Sequence, residues 1–267
     1  MKRRDTKTGT LWRLVVVGGH TRSIGKTQLV CDIIAAFPKT QWIAGKITQY
    51  GHGVCAQNGE NCDCAPEEHV CALDWETRAD TGTDSARFLA AGATRAFWLR
   101  TKQGYLAEGL PLLRQALQEV ASGEWLVARG EVKEVKEVKE VQERGTESNG
   151  RDGDEFLGMG NTAVIVESNS LLQFVRPSLY FAVIDPLRED FKESAQVALD
   201  RAHALVLRDS LRLDRNADGP PAPLWMKLPT KLLQEKPSVI QREGEALPVP
   251  IEVLVQRVLE AEGSIAI

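Results

Sequence analysis

Residues 11–28 read Leu11-Trp12-Arg13-Leu14-Val15-Val16-Val17-Gly18-Gly19-His20-Thr21-Arg22-Ser23-Ile24-Gly25-Lys26-Thr27-Gln28, and the architecture of the whole chain follows from how they are interpreted. Leu11 to Val17 is an apolar, β-branched run, the pattern of a buried parallel strand, and it stops at Gly18-Gly19. Gly25 to Phe37 follows with Leu29, Val30, Ile33, Ile34 and Phe37 on one helical stripe, ended by Pro38. A strand therefore runs through a glycine-containing turn into a helix.

That turn carries Gly25-Lys26-Thr27. Glycines let backbone amides approach an anion closely, and a helix N-terminus adds partial positive charge. The expected phosphate contacts are Gly19, His20, Thr21, Arg22, Ser23, Ile24, Gly25, Lys26, Thr27 and Gln28. Lys26 is expected to reach the β- and γ-phosphates in a catalytic role, and the Thr27 hydroxyl to hold Mg²⁺. Five residues separate Gly19 from Gly25, where the standard phosphate loop has four. The competing reading is a glycine-rich turn with no ligand.

Working outward, Gln41 to Thr48 reads as a strand and Gln49 to Asp80 as a cysteine-rich loop. Thr83 to Ala91 reads as a helix capped by Thr83 or Asp84, and Thr94 to Arg100 as a strand. Tyr105 to Ala121 reads as an amphipathic helix broken or kinked near Pro111. Val132, Val135, Val138 and Val141 repeat every three residues, a period of neither helix nor strand, so 130–155 is expected to be a disordered insertion. Strands are expected at Asn161–Glu167, Ser178–Asp185, Ala204–Arg208 and Leu224–Leu228, and helices at Lys192–Ala202 and Pro250–Glu262. Alternating strands and helices predict a single α/β domain over 1–267, with a doubly wound, mostly parallel sheet.

The chain is 43% hydrophobic and 26% charged, the composition of a soluble globular protein. A net charge of -4 argues against an electrostatic grip on nucleic acid or an anionic membrane. No segment reaches roughly 18 consecutive apolar residues, and the basic start lacks a proper apolar region, so a cytoplasmic location is expected.

A triphosphate site needs an acid near its metal. Glu167, at the end of the strand Thr162-Ala163-Val164-Ile165-Val166, is the candidate for Mg²⁺ and catalysis. Lys46 ends the second strand, where the carboxyl edge of a parallel sheet lines the ligand crevice. Asp84 and Ser85 open a helix, either as a cap alone or with polar groups near the γ-phosphate. Cys55, Cys62, Cys64 and Cys71 fall in the long loop, and four thiolates so spaced can hold Zn²⁺ or an iron–sulfur cluster. His52 and His69 are substitute ligands, and unrelated reduced thiols are the alternative. Cys31 lies on the apolar helix stripe and reads as packing.

The five-residue glycine spacing resembles that of dethiobiotin synthetases. The order of motifs resembles the molybdopterin-guanine dinucleotide biosynthesis protein B family: strand, Gly-Lys-Thr loop, helix, strand with Lys46, then Gly82-Thr83-Asp84-Ser85 leading to Ala90-Ala91-Gly92-Ala93, then the strand ending in Glu167. Thr83 stands where that family has lysine, and no histidine follows Gly45-Lys46. The resemblance implies GTP binding, slow hydrolysis and assistance to a cofactor-biosynthesis protein, with family members that often pair as homodimers. The guanine-reading Asn-Lys-x-Asp motif is absent, so GTP and ATP both stay open. The dethiobiotin-type spacing implies instead an ATP-dependent ligase or kinase, and the cysteines a nucleotide-switched metal chaperone.

Overall fold

Along the first strand Leu14 and Val16 face one side and Val15 and Val17 the other, all fully buried, so this strand must sit between two layers. The computed structural model describes residues 11–51, 70–122, 161–208, 228, 230–261 and 265–266. Among these, nine strands form one sheet: β1 (Leu11–Gly19), β2 (Gln41–Tyr50), β3 (Cys71–Trp75), β4 (Arg95–Lys102), β5 (Thr162–Glu167), β6 (Leu179–Ile184), β7 (Ala204–Arg208), β8 (Ser238–Gln241) and β9 (Ile265–Ala266). Their order is β3-β4-β2-β5-β1-β6-β7-β8, with β9 paired to β1. All pairings along that order are parallel except β3 with β4, and β9 is also antiparallel.

The helices are α1 (Lys26–Ala36), α2 (Asp84–Ala90), α3 (Leu106–Ser122), α4 (Glu193–Ala198), α5 (Thr230–Glu235) and α6 (Val249–Glu260). Val15, Val17 and Trp42 pack with Leu29, Ile33 and Ile251 from α1 and α6. Trp12, Leu14, Val16 and Phe97 pack on the other face with Leu106, Leu110 and Leu113 from α3. No helix among the described residues is long and apolar enough to cross a membrane.

This topology places the crevice. β1 connects through α1 to β2, skipping β5. β5 connects to β6, skipping β1, through a 3₁₀ turn at Ser170–Gln173 whose Leu171 and Leu172 enter the opposite core. Adjacent strands whose connections leave on opposite faces open a cleft at their carboxyl ends.

Several expectations need correction. The segment 49–80 is not all loop: β2 continues to Tyr50, and Cys71–Trp75 is an edge strand whose Leu73 and Trp75 pack on the α3 core. Five residues on an edge give too little alternation to stand out. Of the break or kink expected near Pro111, the break is absent: α3 runs continuously through it. Pro111 lies on its exposed face, so the carbonyl left without a partner can reach water. The helix expected at Lys192–Ala202 is only α4, then a 3₁₀ turn at Leu199–Arg201. Leu228 is not in a strand; the last parallel strand is β8, which the sequence reading missed. The 130–155 tract, and Leu224 to Lys227, lie outside the described residues.

Gly45 in β2 is the register partner of Phe97 in β4, and a Cβ there would run into the Phe97 ring. Gly45→Ala is expected to lower stability by about 1–3 kcal/mol through overpacking. Urea unfolding checks this; an unchanged or higher midpoint would contradict it.

Candidate functional site

The turn between β1 and α1 is held from below and open above. Asn169, just after β5, clamps Gly19 from both sides: the Gly19 amide donates to its Oδ1 at 2.8 Å, and its Nδ2 donates to the Gly19 carbonyl at 2.8 Å. A Cβ on Gly19 would lie 2.7 Å from Ile24 Cδ1 and 2.9 Å from the Val183 carbonyl oxygen, so a glycine is required there. The His20 amide donates to the Val183 carbonyl, and the Lys192 amide donates to the His20 carbonyl. Further along, Ser23 and Gly25 have left-handed backbone, φ 52° and 86°. No backbone carbonyl among the described residues accepts from the amides of Thr21 through Gln28; the first such bond is from Leu29 to Gly25. A curled backbone with its amides unpaired, at the start of a helix, forms a concave anion-binding surface.

Lys26 folds back over this turn, and its Nζ donates to the Thr21 carbonyl at 2.7 Å. Burial holds the Lys26 ammonium below the ordinary lysine range, and Lys192 and Lys46 push the same way against Glu167. Lys192 is likewise lowered by burial and then by Arg22 and Lys46. Ammonium groups held in a half-buried, positively lined cleft favour an incoming anion. His20 does not face solvent: its ring is 1% exposed and packs edge-on against Phe191. Burial lowers its pKa, and neither His20 nor Gly19, whose amide Asn169 takes, lines the crevice.

The acid and the metal-type ligands converge. Thr27 Oγ1 donates to Glu167 Oε2 at 2.6 Å, and Glu167 is 5% exposed. Lys46 Nζ lies 3.5 Å from Glu167 Oε1 and pairs with Asp84. Burial alone would lower the Lys46 ammonium, but Glu167 and Asp84 outweigh it and hold it above the usual lysine range. Burial alone would raise the Asp84 carboxyl, but Lys46 outweighs it and holds it below the usual carboxylate range. An ammonium is thus seated between two carboxylates beside a threonine hydroxyl, which are hard oxygen ligands of the kind Mg²⁺ takes.

The crevice has a volume of about 1280 Å³. Seven lysine and arginine side chains line it against four carboxylates, a local positive excess in a chain of net charge -4. One arm runs past Lys46 to Thr48, Tyr50 and Gln103. The other runs past Gln28 to Arg208 and Gln241, the register partners that end β7 and β8. Gln241 is 1% exposed and donates through Nε2 to Asp32, while its Oε1 and the Nη1 of Arg208 have no hydrogen-bond partner among the described residues. Arg208 stands at the strand end, Leu207-Arg208-Asp209, where the sequence allowed a base-reading residue, whereas Asn169, Gln241 and the Thr21–Asp190 hydrogen bond were not foreseen. All but Asp190 sit at or just beyond the carboxyl ends of parallel strands, the signal that could have found them.

Of the four clustered cysteines, Cys71 is described: it opens β3, and its thiol donates to the Glu108 carbonyl. Cys55, Cys62, Cys64, His52 and His69 lie outside the described residues. Cys31 is buried on α1, its thiol pushed up to about 11 by burial, the state of a packing residue. His203 accepts from the Tyr180 amide through Nδ1 and ties β6 to the start of β7.

Because Asp84 is depressed by its partner, the stability it contributes is fully present above the ordinary carboxylate range and is lost as pH falls through its lower folded value. Both side chains of the pair are partly exposed, so the expected contribution is about 1 kcal/mol. Urea unfolding of wild type and Asp84→Asn from pH 7 to pH 3.5 should show a gap that closes on the acid side; a gap of constant size would contradict the assignment. No protein-family model matches the chain, and no curated protein matches it either.

Proposed function

We propose that the crevice binds a nucleoside triphosphate with Mg²⁺ and that the chain is a P-loop nucleotide hydrolase with slow turnover. The observation that carries this reading is the run of amides from Thr21 to Gln28 without carbonyl partners, at the start of α1 and beneath Lys26. Those amides and Lys26 bind the phosphate chain, and an anion relieves the crowding of Lys26, Lys46 and Lys192. Thr27, Glu167 and Asp84 fit Mg²⁺, since the Lys46 ammonium already stands among their oxygens. The metal would neutralise charge on the phosphates. Lys46, at the mouth of the same carboxylates, would be free to pair with the terminal phosphate. Glu167, at the base of the cleft, orients the attacking nucleophile or the metal's water shell.

The base lies in the arm toward β7 and β8. At the end of that arm two buried groups stand without partners among the described residues: Gln241 Oε1, an acceptor because Asp32 holds the Gln241 nitrogen, and Arg208 Nη1, a donor; a base seated against them would pair with both. Arginine matches the O6 and N7 acceptors of guanine, and an oxygen acceptor matches its N1–H. Gln241 cannot use the paired amide contact that suits adenine. This favours GTP over ATP. The resemblance to the molybdopterin-guanine dinucleotide biosynthesis proteins adds the role of assisting cofactor maturation.

A second reading is supported by size. The crevice exceeds the roughly 300–1,000 Å³ of ordinary small-molecule sites. Its other arm, at Thr48, Tyr50 and Gln103, leaves room for a phosphoryl acceptor, as the ligase or kinase alternative requires.

Calorimetric titration with GTP and ATP, with and without Mg²⁺, tests the reading. Wild type should bind a triphosphate in Mg²⁺, GTP the more tightly, and Lys26→Ala should lose about a hundredfold in affinity while keeping its unfolding midpoint. A wild type that binds neither nucleotide, or a variant that binds normally, would overturn it.

A further inference from the structure

Glu76 lies outside the crevice, yet its side chain accepts four hydrogen bonds, two from its own loop and two from the start of α2. Its Oε1 accepts from the amides of Thr77 at 3.1 Å and Arg78 at 3.2 Å. Its Oε2 accepts from the hydroxyls of Thr83 and Ser85, each at 2.9 Å. Thr83 and Ser85 are the two neighbours of Asp84. Thr83 also caps α2, accepting from the Ala86 amide at 3.1 Å.

A cap needs only the Thr83 hydroxyl. The second bond, from buried Ser85 to a carboxylate nine residues earlier, does something else. It pins both flanks of Asp84 to one side and leaves Asp84 to project toward Lys46 and Glu167. Glu76 is itself fixed to the sheet, its amide donating to the Ala96 carbonyl of β4 at 2.8 Å. Two residues on in β4, Trp98 is the register partner of Lys46. Asp84 and Lys46 are therefore both referenced to the β2–β4 pair, Asp84 through Glu76.

We propose that Glu76 is a positioning residue that sets Asp84 as a ligand of the divalent cation, acting through Thr83 and Ser85. The inference rests on the triphosphate reading above. It says that the Mg²⁺ requirement of triphosphate binding depends on a carboxylate that touches neither metal nor nucleotide. Removing Glu76 frees α2 to turn at its first residue and withdraws Asp84 from the cation, while the amides of the β1–α1 turn are untouched.

The experiment is a Mg²⁺ titration of triphosphate binding in wild type, Glu76→Ala, Asp84→Asn and the double variant, with tripolyphosphate binding without metal as the reference. Glu76→Ala should raise the Mg²⁺ concentration for half-saturation about tenfold and leave metal-free tripolyphosphate affinity unchanged. In the Asp84→Asn background it should add less than about twofold, since the two act as one unit. Glu76→Gln, which keeps one acceptor oxygen, should fall between, and it carries the test if the alanine variant does not fold. An unchanged Mg²⁺ requirement, effects that multiply in the double variant, or an equal loss of tripolyphosphate affinity would each overturn the proposal while leaving the triphosphate reading in place. Wild type that binds no triphosphate at all would remove both.

Discussion

Eight consecutive backbone amides, from Thr21 to Gln28, find no carbonyl among the described residues. An orphan donor costs free energy unless water or a ligand satisfies it, and the first turn of any helix has such donors. Here the set is extended into the preceding turn by the left-handed backbone at Ser23 and Gly25. The neighbouring structure keeps it so. Asn169 clamps Gly19, and the Val183 carbonyl takes the His20 amide, so the root of the turn is rigid while its crown stays open. The parallel strands β5, β1 and β6 bring these groups to one edge.

The second constraint is charge. Lys26 and Lys192 stand at the turn, lowered first by burial and then by neighbouring cations, and the carboxylates Glu167 and Asp84 balance Lys46 beside them. The ion pairs are the resting arrangement of groups able to exchange partners. On the proposed reading, a phosphate chain and a divalent cation would together present the charges complementary to Lys46 and to its carboxylates Asp84 and Glu167. The arrangement ties chemistry at the central strands to α2, whose first residue is Asp84, and through Glu76 to the edge of the sheet.

Much of this was legible in the sequence because the central strands are fully buried. Leu11 to Val17 and Thr162 to Glu167 are continuous apolar runs that end in a glycine pair and an acid, so element and site residue were marked together. β3 and β8 were not legible. Each is a short edge strand, β3 with no fully buried position and β8 with two of its four exposed, and propensity alone does not separate such a strand from loop. Asn169, Arg208 and Gln241 carry no motif; they matter through which strands the fold sets side by side, and β7 with β8 is a pairing across 29 residues of intervening chain. His20 was expected among the phosphate contacts, but the turn bends inward there and packs it on Phe191.

Amide hydrogen exchange with and without Mg²⁺ and GTP tests the central claim most directly, because it reads the donors themselves. The account predicts that Thr21 to Gln28 exchange fast in the free protein and become strongly protected in the complex, with tripolyphosphate alone protecting the same run. Protection that appears elsewhere while these amides go on exchanging at the free rate would contradict it.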